Sequence, residues 1–119
     1  MKWRRNPLAL PVFRVVADET LKVIHLDAAG GVLAVAAYGG AASHVDVPVR
    51  AIIADALRLD AAALILSHDH PSGDPRPSAA DRALTTRLAR LAKLLGFRLH
   101  DHLIHAGDRC TSLRALGLL

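Results

Sequence analysis

The chain has 119 residues, a length that fits one compact domain with enough chain to bury a single core. Hydrophobic residues make up 52% of it and the formal net charge is +4, which excludes intrinsic disorder and reads as solubilising charge before it reads as a dedicated nucleic-acid surface. No apolar run reaches the roughly 18–20 residues of a membrane helix, no clean signal-peptide core follows the basic residues 1–5, and the lone Cys110 forbids an internal disulfide. A cytoplasmic protein with no membrane partner is therefore expected.

Residues 1–18 read as an N-terminal extension ahead of a domain spanning 19–119. Thr20–Leu26, rich in β-branched and apolar residues, predicts a strand. Gly30 and Gly31 make a turn into a hairpin partner at 32–38, and Gly39-Gly40 opens a loop that runs through His44. Val49–Leu59 places Ile52, Ile53, Ala56, Leu57 and Leu59 at helical spacing. The apolar run 62–67 suits a buried strand, and Pro71, Pro75 and Pro77 stiffen the loop after it. Ala79–Leu95 predicts a longer helix with Ala80, Leu84, Leu88, Leu91 and Leu95 on one face, stopped by Gly96. Arg98–Ala106 and 110–113 close the chain as strands. Hairpin, helix, strand, helix, hairpin is an α/β order, with helices covering a mixed sheet.

The stretch Ser67-His68-Asp69-His70-Pro71-Ser72-Gly73-Asp74, with Ser78 and Asp81 beyond it, carries most of the chemical information. His68 and His70 are two apart at a strand end, so their rings leave the same face. Asp81 falls in the first turn of the next helix. Two imidazoles and a carboxylate hold zinc with a fourth corner open, the arrangement of a hydrolytic site. A bare His-x-His pair is a weak signal, and Ser78-x-x-Asp81 also fits a helix capping box. The stiff loop joining these features favours the metal reading, and Ser78 can serve both roles. Glu19 is the one glutamate among eleven acidic residues and precedes the first strand. By position it is a solvated strand-end charge; near a zinc it is a general base.

These residues resemble the JAMM signature in its RadC-like form, within the JAB/MPN metalloprotease superfamily. The likeness extends to Arg50, Ala56-Leu57 and 61–66 upstream, and to Leu94-Leu95-Gly96, Asp101-His102 and Ser112-Leu113-Arg114 downstream. The resemblance implies a three-layer sandwich related to the cytidine deaminases, with one Zn2+ held by His68, His70 and Asp81. It also implies Glu19 as catalytic base, from its place seven residues before Leu26-Asp27, and Ser78 as an oxyanion stabiliser. A metallopeptidase or isopeptidase acting on a protein or peptide follows. The alternative is a non-catalytic nucleic-acid or protein binding module of the RadC type, linked to DNA repair; metal-dependent phosphoester cleavage is a third reading. Three departures stand out: the helix-hairpin-helix region usual in the full-length family is not in this sequence, the helix that commonly precedes the catalytic glutamate is shortened to 6–17, and Asp69 replaces the usual Asn beside the ligands.

Asp69 and His102 are expected behind the primary ligands. His100, expected to share a strand face with His102, reads as a structural hydrogen-bonding residue. Cys110 is expected in the core or at a strand edge. A homodimer is the base-rate expectation, and the sequence names neither the substrate nor a nucleic-acid-binding residue.

Overall fold

Five strands form one sheet: β1 (Thr20–Leu26), β2 (Val32–Gly39), β3 (Ala63–Asp69), β4 (Arg98–Ala106) and β5 (Arg109–Ser112), in spatial order β2-β1-β3-β4-β5. The structure, a computed structural model, describes residues 20–39 and 49–119. Glu19, His44 and the expected helix at 6–17 lie outside the described residues. Two helices complete the described chain, α1 (Val49–Leu59) and α2 (Ala79–Leu95). β3 and β4 are the one parallel pair among these strands, and α2 is the crossover that parallel neighbours require. The other pairs are antiparallel, so the sheet is mixed and the α/β class expected from the sequence holds.

Register decides which side chains share a face. Leu21, His68 and Ile104 line up across β1, β3 and β4; Val23, Leu66 and His102 form the next row; His25, Leu64 and Leu99 form the third. Both helices pack on this face. Ile52 and Ala56 of α1 and Leu84, Leu88 and Ala92 of α2 join Val23, Leu64 and Leu66 in one core. Polar contacts agree: the Tyr38 hydroxyl donates to Asp55 of α1, and Thr85 of α2 meets His102. Each fully buried Leu, such as Leu64, Leu66 or Leu88, contributes roughly 1.5–3 kcal/mol by leaving water. The opposite face carries Ile24, Ile65 and Leu103 half-buried and Val35 at 49% exposed. Of the three layers expected, the described residues make two.

One irregularity matters for the site. Leu64 pairs with Leu99 but Ile65 pairs with Asp101, so β4 carries one extra residue, His100. A strand alternates faces every residue, and a bulge breaks that beat. Leu99 and His102 therefore both face the helices, although they are three apart, and His100 is exposed. The expectation that His100 and His102 share a face is thus corrected.

The helix faces also need correction. In α2 the buried residues are Asp81, Leu84, Thr85, Leu88 and Ala92, whereas Ala80 is exposed and Leu95 is 45% exposed. A hydropathy stripe leaves out Asp81 and Thr85, yet these two polar residues face the sheet because histidines await them there. In α1, Val49 is buried and Leu57 is 52% exposed. Cys110 sits on the edge strand β5 and is exposed, so its edge reading holds and its core reading does not.

Candidate metal centre

The end of β3, the start of α2 and the middle of β4 meet at one place on the helix-covered face. His68 lies in β3, and the strand ends one residue before His70, whose N–H still donates to the His105 carbonyl of β4 at 2.8 Å. A turn follows, closed by the Gly73 N–H on the His70 carbonyl at 3.0 Å, with Gly73 at φ 87°. Only glycine adopts that conformation without strain. Asp74 then turns its own side chain outward to Arg76, with contacts from 2.8 Å, and its carbonyl back to His70 Nδ1 at 2.9 Å.

Ser78 caps α2 from extended backbone (φ −84°, ψ 170°), and the capping box is complete. Ser78 Oγ accepts from the Asp81 N–H at 3.0 Å; Asp81 Oδ2 accepts from the Ser78 N–H at 2.8 Å and from its hydroxyl at 2.9 Å. The cap does not use up the carboxylate. Asp81 Oδ1 accepts from His68 Nδ1 at 2.8 Å, and Oδ2 lies 3.1 Å from His70 Nε2. Asp81 thus bridges both histidines while only 2% exposed, and the two rings sit 5.1 Å apart edge-on. The capping-box reading and the convergence of His68, His70 and Asp81 are realised in the same side chain. Burial opposes the Asp81 charge, but the hydrogen bonds from His68 and Ser78 outweigh it and hold the carboxyl well below its ordinary range.

The donor chemistry fits a cation. A backbone carbonyl only accepts, so His70 Nδ1 must carry the hydrogen it gives to Asp74. A neutral His70 then aims the Nε2 lone pair at a carboxylate oxygen 3.1 Å away. Two acceptors facing each other repel unless a positive charge sits between or on them. A proton on Nε2 or a metal ion supplies that charge, and Nδ1 bonded to a carbonyl is the orientation by which proteins fix a ligand histidine.

His102 adds a third imidazole. It is fully buried, and its Nδ1 lies 2.8 Å from Thr85 Oγ1. Ligand atoms of His68, Asp81 and His102 lie within 4.8 Å of one another, a group that does not include His70. Burial pushes the His102 pKa down to about 4, with Asp81 partly opposing, so the ring is neutral at pH 7. Asp69 does not join the group. Strand alternation turns it to the face opposite His68, beside His105 of β4. Glu19 lies outside the described residues. Sequence reasoning missed two contributors: the Asp74 carbonyl, which carries no residue-type signal, and Thr85, whose signal was its place four residues after Asp81 on the same helical face.

A mixed sheet covered on one face by helices, with a His/Asp/His cluster at a strand end, defines an α/β domain with a candidate metal site. The profile of the RadC-like JAB domain matches residues 7–118, and the chain belongs to that family. It is 52% identical over 80 residues to a UPF0758 protein of Rhodobacter capsulatus, covering 67% of this chain and 37% of that protein. It is 40% identical over 111 residues to a UPF0758 protein of Salinibacter ruber, covering 92% of this chain and 47% of that one. The chain thus spans less than half the length of these curated relatives. Among the described residues no helix is long and apolar enough to cross a membrane.

Proposed function

We propose that this domain is a zinc-dependent hydrolase of the JAMM type, cleaving a peptide or isopeptide bond in a protein or peptide substrate. The observation that carries the reading is the Asp81 carboxylate set between His68 and His70, with His70 Nε2 turned toward it by the Asp74 carbonyl. Imidazole and carboxylate donors suit zinc. Bound there, zinc supplies Lewis acidity, polarising a carbonyl and lowering the pKa of water.

The chain's own residues do the rest. His68, His70 and Asp81 hold the ion, and the Ser78 cap and Asp74 carbonyl keep the ligands aimed. Glu19 takes the proton of the attacking water and returns it to the leaving amine. Ser78 steadies the oxyanion of the tetrahedral intermediate. Its hydroxyl donates to Asp81 Oδ2, so this role requires the hydroxyl to turn from the carboxylate once substrate is bound.

Metal analysis of purified protein tests the reading. One zinc per chain is expected, lost in both His68→Ala and Asp81→Ala. A metal-free wild type, or variants that keep their zinc, would overturn it. DNA binding that persists without His68 and His70 would favour a binding module instead.

A further inference from the structure

The site as proposed leaves one buried group without work. His102 is 0% exposed and its Nε2 has no hydrogen-bond partner among the described residues. An unsatisfied buried nitrogen is costly to the folded state. Its ring is nonetheless held: Thr85, one helical turn beyond Asp81, meets Nδ1 at 2.8 Å. The bulge at His100 is what turns His102 toward the helices, into the same row as Leu66 and next to that of His68.

Being orphaned does not by itself make a ligand. Among the described residues His25 is also fully buried with both ring nitrogens unpartnered, yet it belongs to no metal-capable cluster there. His102 does. One of its ring nitrogens lies within 4.8 Å of ligand atoms on His68 and Asp81, a group that His70 does not join. Donors around a tetrahedral zinc sit about 3.4 Å apart, given bond lengths near 2.0–2.1 Å. Binding the ion would have to draw these donors together by up to about 1.4 Å from the 4.8 Å limit.

We propose that His102 Nε2 is a further donor to the cation held by His68, His70 and Asp81, with Thr85 fixing its ring from the far side. The inference rests on the metal reading above and adds a ligand to it. A threonine hydroxyl accepts as well as donates, so Thr85 can take the Nδ1 hydrogen and leave the Nε2 lone pair for the ion. Four protein donors grip an ion harder than three. With four protein donors, solvent or substrate would have to enter as a fifth ligand, the expansion zinc sites reach during reaction.

The full chain, stripped with chelator and reloaded with Zn(II) or Co(II), provides the test without any activity measurement. Competition against a chromophoric chelator should show zinc bound at least 10-fold more weakly by His102→Ala, and roughly 10-fold more weakly by Thr85→Val. The visible spectrum of the Co(II) form should change in His102→Ala, and zinc should move the His102 Nε2 signal in 15N NMR of the wild type. If the wild type binds zinc, His68→Ala loses it, and His102→Ala keeps both affinity and Co(II) spectrum, His102 is no donor and the metal reading survives. If His102→Ala fails to fold, the wild-type 15N signal decides: an Nε2 resonance unmoved by zinc overturns the inference. A wild type that binds no zinc overturns this inference together with the function on which it rests.

Discussion

Asp81 Oδ2 takes two hydrogen bonds from Ser78, one from the backbone N–H at 2.8 Å and one from the hydroxyl at 2.9 Å. The helix cap and the carboxylate that faces the histidines are therefore one mechanical unit. Ser78→Ala removes the hydroxyl from both roles. Folding stability should fall by about 1 kcal/mol in denaturant titrations. Zinc affinity should fall by roughly 10-fold or more, because an unanchored Asp81 spends part of its time in other rotamers. Ser78→Thr, which restores the hydroxyl, should recover most of both losses. Equal zinc affinity in Ser78→Ala would show that the cap does not position the ligand.

Glu19→Gln separates binding from chemistry. The amide keeps the size of the side chain and loses its basicity, so the variant should retain one zinc per chain and lose hydrolysis by at least about 100-fold, the usual worth of a general base. An active Glu19→Gln protein would remove Glu19 from the mechanism.

His25 gives the metal-free protein a pH dependence of definite sign. Burial lowers its pKa from 6.5 to about 4, with Asp55 partly opposing. Between those values the folded chain keeps His25 neutral while the unfolded chain takes up a proton. The unfolded state then binds more protons, so stability drops as pH falls through the window, by about 3 kcal/mol in all. His25→Leu should be more stable than wild type at pH 7, because two ring nitrogens with no partner among the described residues leave the core. Its advantage should widen toward pH 4. Thermal or urea unfolding of both proteins across that range checks it; a constant gap would mean His25 is not buried neutral.

Gly96 ends α2 at φ 94°, and a Cβ at this position would meet nothing within 4 Å. Gly96→Ala should thus cost only the backbone strain, about 1 kcal/mol. Gly96→Asn should cost less, since Asn tolerates the left-handed region. Urea midpoints compare the two directly.

Much of this fold is legible in the sequence because its periods are clean. Thr20–Leu26, Val49–Leu59, Ala79–Leu95 and Arg98–Ala106 are read from apolar spacing and glycine stops, and the structure has the same bounds. β3 runs two residues further than its apolar run, because His68 and Asp69 continue the ladder without continuing the hydropathy. The convergence of His68, His70 and Asp81 is legible from motif and loop stiffness. The surroundings of His102 are not. Strict alternation pairs it with His100, and one extra residue in β4, which no residue type announces, undoes that pairing. The face of α2 is misread for a related reason: Asp81 and Thr85 are buried for their hydrogen bonds, which a count of apolar positions cannot see.

The same extra residue gives β4 slack. Losing one residue from a regular strand swings everything beyond it to the wrong side of the sheet. At His100 the result is the reverse: with it gone, Leu99, Asp101 and His102 fall into plain in-out-in order, and His102 stays pointed at Thr85. Length variation at His100 keeps the faces of this strand in order, at the cost of the hydrogen bond Arg114 Nε gives the His100 carbonyl at 2.6 Å.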